Sequence, residues 1–118
     1  MSQDFQDLTV WQRAMELTEA IYTLTKTFPR DEVYGLLSQL RRASVSIASN
    51  IAEGRARATD RDFRQFLNIA LGSTYEVQTQ LLLAKRLKIG DDATQRNSES
   101  LCIETSKMLG AFRQSLKS

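Results

Sequence analysis

The sequence contains no histidine and a single cysteine, Cys102, among its 118 residues. Histidine is the commonest general base at neutral pH and the commonest metal ligand, and one thiol forms neither an internal disulfide nor a thiolate cluster. Cys102 lies on the apolar stripe of a predicted helix, as a small buried hydrophobe would. No P-loop, dinucleotide-binding glycine pattern or nucleophile elbow occurs. We therefore expect no metal site, no cofactor and no catalytic activity.

Proline, glycine and long apolar runs are also scarce. One proline and five glycines leave few positions at which a helix would break. No segment approaches the roughly 18 uninterrupted apolar residues of a membrane span, and the start of the chain lacks the regions of a signal peptide. We therefore expect a cytoplasmic protein without membrane contact. Apolar residues make up 42% of the chain, enough for one core in a single domain over residues 1–118.

Apolar residues recur at spacings of three and four along four segments, which predicts four α-helices. The predicted helices span about 8–28, 34–54, 60–88 and 92–116. Phe28-Pro29 closes the first, and Gly54 is predicted to end the second in the left-handed conformation. Gly90 ends the third. Short connections between them predict an all-α, antiparallel up-and-down four-helix bundle.

The second predicted helix has an unusual run of small side chains between Ala43 and Ala52. Only Ile47 and Ile51 in this run are larger than asparagine or valine. Another backbone can therefore approach the helix closely from several directions. Two interpretations follow: a tightly packed central helix of the bundle, or a helix whose second small face meets another subunit.

Charge is distributed unevenly along the chain, although its net value is only +2. Residues 1–36 hold six acids against three bases, whereas residues 37–64 hold six arginines against three acids. The planar guanidinium fork suits phosphate, so these arginines are candidates for binding RNA or DNA. Ion pairs within or between subunits are the alternative interpretation. The candidate residues are Arg41, Arg42, Arg55, Arg57, Arg61 and Arg64.

Two carboxylates, Glu53 and Glu76, interrupt small or apolar stretches and are the candidates for buried carboxylates. A di-metal site of the ferritin type needs Glu-x-x-His pairs, so structural pairing is expected instead. Arginines would neutralise the carboxylates, and amide side chains would satisfy the remaining hydrogen bonds. The predicted network comprises Asn50, Glu53, Glu76 and Gln80, with Arg41, Arg42 or Arg64 as cations.

Several sequence elements in a fixed order resemble those of a known family. They are Leu8-Thr9-Val10-Trp11-Gln12, Phe28-Pro29, Tyr34-Gly35-Leu36, Gln39-Leu40-Arg41-Arg42-Ala43, Ser46-Ile47, Asn50-Ile51-Ala52-Glu53-Gly54, Phe63, Phe66-Leu67, Ala70, Gly72-Ser73, Glu76 and Gln80. The chain resembles the four-helix-bundle proteins found as reading frames in intervening sequences of bacterial 23S ribosomal RNA genes. The resemblance covers residues 8–88, and the fourth helix matches in pattern only.

The resemblance implies a four-helix bundle that assembles into a ring, expected to be a homopentamer. The family is similar to the accessory variability determinant of diversity-generating retroelements, which works with a reverse transcriptase and nucleic acid. Arg41, Arg42, Asn50, Glu53 and Glu76 look like the family's shared polar set, expected at or near a subunit interface. Two functions stay open. One is a ring-shaped binding or scaffold protein for structured RNA, DNA or a nucleic-acid-handling partner, and the other is a structural or adaptor oligomer that binds a protein.

Overall fold

Four long helices make up most of residues 4–116, the part of the chain that the computed structural model describes. They are α1 (Thr9–Thr25), α2 (Leu36–Arg55), α3 (Asp60–Arg86) and α4 (Asp92–Ser115), with 3-10 turns at Phe5–Asp7 and Arg30–Glu32. No strand occurs among these residues. The prediction of an all-α four-helix fold is confirmed.

Contacts between side chains show that neighbouring helices run in opposite directions. Between α2 and α3, Ser46 faces Ser73 and Gln39 faces Gln80, so the residue numbers rise along one helix and fall along the other. The same opposed order relates α1 to α2, α3 to α4 and α1 to α4. Within the described part of the chain, the backbones of the diagonal pairs α1/α3 and α2/α4 do not approach each other closely. The helices therefore form a square antiparallel bundle with a long axis of 46 Å.

The bundle core consists of fully buried aliphatic side chains from all four helices. The larger ones are Leu17, Ile21, Leu24, Leu40, Ile47, Ile51, Leu67, Val77, Leu81 and Leu109. Each such side chain contributes about 1.5–3 kcal/mol by leaving water. These residues follow the three-four spacing of the sequence, because one face of each helix turns toward the bundle axis.

Side-chain caps begin the third and fourth helices. The Thr59 hydroxyl accepts the Asp62 N–H of α3 at 3.1 Å, and the Asp91 carboxylate accepts the Thr94 N–H of α4 at 2.9 Å. Hydrogen bonds from Thr94 lower the pKa of Asp91 below its ordinary value of 3.8. The bond from the Thr94 N–H has the larger effect, and the bond from the Thr94 hydroxyl has the second largest. The pKa of Asp91 is lower in the folded chain than in the unfolded chain. The ionised cap therefore stabilises the fold above pH 3.8, and this contribution is lost as the pH falls through the folded pKa.

Two helix ends differ from the sequence prediction. The first helix stops at Thr25, three residues before Phe28, and Gly54 lies inside α2 instead of capping it in the left-handed region. The third helix ends with Lys88 at a φ of 57° and Gly90 at 89°. The Ile89 N–H reaches the Ala84 carbonyl at 2.9 Å, as expected where a left-handed residue closes a helix. Glycine is required at position 54 for a different reason, since a Cβ atom there would lie 2.6 Å from the Cβ of Phe66.

A membrane-spanning helix must be both long and strongly apolar. Within residues 4–116, no helix combines the length and hydropathy needed to cross a bilayer.

Candidate functional site

The six candidate arginines do not form one cluster. Arg41 and Arg42 lie in the first third of α2, whereas the other four lie where α2 ends and α3 begins. Fourteen residues separate Arg41 from Arg55, which corresponds to about 21 Å along a helix. The six candidates therefore lie in two separate places on one chain, and their role in binding phosphate stays a prediction.

Arg41 is tied to α1. Its Nε donates to the Thr25 hydroxyl at 2.8 Å, and its guanidinium carbon lies 4.3 Å from the centroid of the Tyr22 ring. These contacts support the structural interpretation for this arginine. Arg42 points elsewhere and lines a groove between α2 and α3 together with Glu76.

The remaining four arginines form a group at one end of the bundle, which we call the arginine end: Arg55, Arg57, Arg61 and Arg64. Arg57 stacks on Phe66, with its guanidinium carbon 4.5 Å from the ring centroid, and Arg64 donates to the Leu116 carbonyl. Arg57 and Arg61 are exposed, and the other two are half-buried. None of the four forms an ion pair with another residue in the range 4–116. Of the four, Arg57 and Arg61 are the ones whose side chains are open to solvent.

Glu53 and Glu76 are both exposed in the single chain. Burial of either carboxylate between copies of the chain stays a prediction. Glu76 of α3 lies opposite Ala43 of α2, and Glu53 lies near the α2 C-terminus. Ten residues of α2 separate the two positions, about 15 Å along the helix, so the carboxylates share no site. Neither forms an ion pair within the described residues.

The polar side chains of α2 and α3 meet in two pairs that cross between the helices. The Ser46 and Ser73 hydroxyl oxygens lie 3.0 Å apart, and Gln80 Nε2 donates to Gln39 Oε1 at 3.4 Å. Asn50 bonds back to Ser46 within α2 instead of reaching a carboxylate. Within one chain, Asn50, Glu76 and Gln80 therefore lie between α2 and α3 without one connected network, and Arg41 and Arg64 contact other parts of the chain.

A groove runs along this face between the two helices, and we call it the α2/α3 groove. One part, of about 610 Å³, is lined by Glu32, Gly35, Leu36, Gln39, Tyr75, Glu76, Thr79, Gln80, Leu83 and Leu87. The adjoining part, of about 410 Å³, is lined by Gln39, Arg42, Ala43, Ser46 and Glu76. The two parts share Gln39 and Glu76 and are therefore continuous.

The outward side of α3 carries large apolar side chains that no residue of the described chain covers. This apolar stripe consists of Ile69, Tyr75, Leu82, Leu83 and Leu87, each between 45% and 57% exposed. The spacing of the core residues was enough to predict α3, so the apolar stripe was not predicted from the sequence. A second apolar periodicity beside the core face was the available signal. Exposed apolar patches are typical of surfaces that bind another molecule.

Cys102 is fully buried, and its Sγ donates to the Thr74 carbonyl at 3.2 Å. Burial raises the pKa of the Cys102 thiol to about 12. The thiolate fraction at pH 8 is then roughly a thousandfold lower than for an exposed thiol. We expect a chromogenic disulfide reagent to label native protein at no more than the unfolding rate, and denatured protein immediately. Rapid stoichiometric labelling of native protein would contradict this burial.

A metal site requires several ligating side chains directed at one point. Among residues 4–116, no three aspartate, glutamate or cysteine side chains converge in a way that could hold a metal ion. The carboxylates at Glu53 and Glu76 are too far apart to act together.

The four-helix fold is shared with a protein of known structure. It resembles the crystal structure of a protein of unknown function from the S23 ribosomal protein family of Bacteroides thetaiotaomicron, with a TM-score of 0.79 and 24% sequence identity. The alignment covers 91% of this chain and 100% of that one, and at this identity it shows a shared fold. No curated protein matches the sequence. A family model described as 23S rRNA-intervening sequence protein matches residues 6–111, nearly the whole bundle, and the chain therefore belongs to that family.

Proposed function

We propose that the chain is a non-enzymatic, oligomeric protein that binds structured RNA or DNA through its arginine end. The observation that carries the proposal is the placement of four arginines at one end of the bundle, without an ion-pair partner in the range 4–116. Guanidinium groups recognise phosphates by paired hydrogen bonds, and this attraction is long-range and independent of sequence.

The charge of the arginine end is moderate in one copy of the chain. Glu53, Asp60 and Asp62 are exposed close by, and the two aspartates belong to the first turn of α3, where negative charge favours the helix dipole. One copy would therefore bind phosphates weakly. Several copies held in one assembly would add their contacts, and such multivalency raises the overall affinity steeply.

Self-association would use the apolar stripe of α3. Stable interfaces bury large apolar side chains at their centre, and the stripe offers four of them on α3 and Leu87 directly after it. Gly72 lies within the stripe with no atom near its missing Cβ, so a neighbouring helix could approach closely there. The family resemblance favours a ring of five copies, in which the arginine ends would face one side.

Removal of two exposed arginines tests the nucleic-acid proposal. We expect Arg57→Gln/Arg61→Gln to weaken binding to a fluorescent RNA hairpin in an anisotropy titration. The slope of log affinity against log salt, measured between about 50 and 200 mM, should decrease by roughly 1 for each phosphate that the variant no longer neutralises. The double variant should keep its fold, because neither side chain donates a hydrogen bond within the described residues.

The matched control is Arg30→Gln/Arg96→Gln. These arginines are also exposed and lie at the opposite end of the bundle, so the variant loses the same charge from a different place. Equal weakening by both double variants would mean that only net charge matters. Absence of binding by the wild-type chain at low salt would overturn the proposal.

A protein adaptor is the second candidate, and the apolar stripe favours it. In that case the stripe, or the face of the assembled oligomer, binds a protein, and the arginines serve ion pairs between chains. Binding through apolar side chains depends little on salt, whereas phosphate binding weakens steeply as salt rises. Sedimentation of the purified chain would show whether the stripe is already covered by further copies.

A further inference from the structure

We infer that Arg113 of α4 is a further phosphate-binding residue, and that the nucleic acid lies along the side of the bundle between α3 and α4. This inference rests on the proposed function and deepens it, because it assigns the face that the RNA or DNA backbone contacts. Arg113 comes from a different helix than the four arginines of the arginine end, and no sequence pattern singled it out. The face, which we call the α3/α4 seam, consists of Arg61, Arg64, Asn68, Gly110 and Arg113.

Two hydrogen bonds between the helices place Arg64 and Arg113 one turn apart along the seam. Arg64 donates to the Leu116 carbonyl, and Arg113 Nη1 donates to Asn68 Oδ1 at 3.0 Å. Asn68 lies one turn beyond Arg64 on α3, about 6 Å along the helix. Arg61 shares this face of α3, since Arg61, Arg64 and Asn68 follow one another at spacings of three and four residues. Three guanidinium groups therefore follow one line about 10 Å long.

The two half-buried arginines of the seam keep hydrogen-bond donors for an external acceptor. A guanidinium group carries several N–H donors and no acceptor. Within residues 4–116, Arg64 and Arg113 each donate one side-chain hydrogen bond, and neither has a nitrogen that is both buried and without a partner. Arg55 differs, because its Nε is buried without a partner. The remaining N–H groups of the seam can therefore donate paired hydrogen bonds to a phosphate.

Carboxylates are absent from the helix segments that carry Arg64 and Arg113. Residues 64–75 and 105–116 contain no aspartate or glutamate. The two aspartates of the first turn of α3 flank Arg61 and reduce the positive charge at that end of the seam alone. The attraction of the other two arginines for phosphate is therefore not offset by acidic residues of their own segments.

The surface of the seam is open to a large ligand. Gly110 lies one turn before Arg113, and no atom of another helix lies within 4 Å of the position that a Cβ would take there. Arg61 and Asn68 are exposed. Four of the five residues of the apolar stripe lie at or beyond Tyr75, toward the opposite end of the bundle. Self-association through the stripe would therefore leave the seam accessible to nucleic acid.

Anisotropy titration of the full chain with the fluorescent RNA hairpin, between about 50 and 200 mM salt, tests the inference. We expect Arg113→Gln to weaken binding and to lower the slope of log affinity against log salt by about 1 for each copy that contacts the hairpin. Arg96→Gln is the matched control. It removes an exposed arginine from the same helix near the opposite end of the bundle, and it should keep the wild-type slope.

Asn68→Asp tests the same contact without removing an arginine. The new carboxylate would lie where Arg113 Nη1 now donates to the amide oxygen, so it would occupy the guanidinium and weaken hairpin binding as Arg113→Gln does. The fold should be retained, since exposed ion pairs change stability little. Asn97→Asp is the control, with the same charge change at an exposed asparagine near the opposite end of α4.

The outcomes separate this inference from the proposed function. Wild-type slopes for both Arg113→Gln and Asn68→Asp, with Arg57→Gln/Arg61→Gln weakened, would overturn the inference and leave nucleic-acid binding at the arginine end. Equal weakening by the two controls would also overturn it, because only net charge would matter. Absence of binding by the wild-type chain at low salt would overturn both proposals. Melting and sedimentation of each variant verify fold and assembly, and a merely structural role of Arg113 would lower the melting temperature without changing the salt slope.

Discussion

Replacement of Gly54 by valine is expected to lower the free energy of unfolding by about 3 kcal/mol or more, the upper part of the range for overpacking a core. A Cβ atom at Gly54 would lie 2.6 Å from the Cβ of Phe66 and 2.8 Å from Cδ1 of Phe63. The Phe66 Cβ is attached directly to the α3 backbone, so side-chain rotation cannot relieve that contact. The two helices would have to separate. Urea unfolding monitored by circular dichroism measures the change.

Gly72→Val is the control for this prediction. Gly72 is also a helical glycine, but it is exposed and has no atom within 4 Å of a built Cβ. Valine forms helices better than glycine, so this variant should change stability by no more than about 0.5 kcal/mol or stabilise the fold slightly. Equal effects at both positions would contradict the close approach at Gly54. Loss of assembly by Gly72→Val, with the fold retained, would place Gly72 between copies of the chain.

Truncation of Leu81 to alanine is expected to cost about 2–5 kcal/mol, since the side chain is fully buried and its removal leaves a cavity. The neighbouring residue provides a matched comparison, because Leu82 belongs to the same helix but is 46% exposed. Leu82→Ala should change the stability of the single chain by less than about 0.5 kcal/mol. Both values come from urea unfolding at low protein concentration. Similar costs for the two variants would contradict the orientation of α3.

The helices and their core faces could be predicted from the sequence, because the evidence for them is local. Thr59 and Asp91 cap helices where the pattern begins, and Leu17, Leu67 and Leu81 occupy the buried stripe that their spacing indicates. A core face follows from the period of the helix alone. No knowledge of the neighbouring helix is needed.

The candidate sites could be predicted only in part. The sequence identified Gln80 as a polar residue between helices, but it did not show that the six arginines divide between two places. Arg41 binds α1 through Thr25, while the arginine end lies about 21 Å away along α2. Residues near each other in sequence can still lie far apart in space when a long helix separates them.

Gly54 shows the same limit for a single residue. A glycine near a helix end predicts a left-handed cap, and Lys88 and Gly90 take that conformation after α3. Gly54 lies inside α2, and a side chain is excluded there because Phe63 and Phe66 of the next helix occupy the space that a Cβ atom would take. The requirement for a residue without a side chain comes from α3, so the sequence around Gly54 does not indicate it.

By itself, the sequence determined an all-α chain of four helices, the core face of each and membership of the 23S rRNA-intervening sequence protein family. Only the tertiary structure decided that Glu53 and Glu76 are exposed, that Gln39 meets Gln80, and that the apolar stripe of α3 faces outward. The physical reason is that the rotation and register of one helix against another depend on how two sets of side chains pack together. A periodic pattern describes one helix at a time and leaves that relation open.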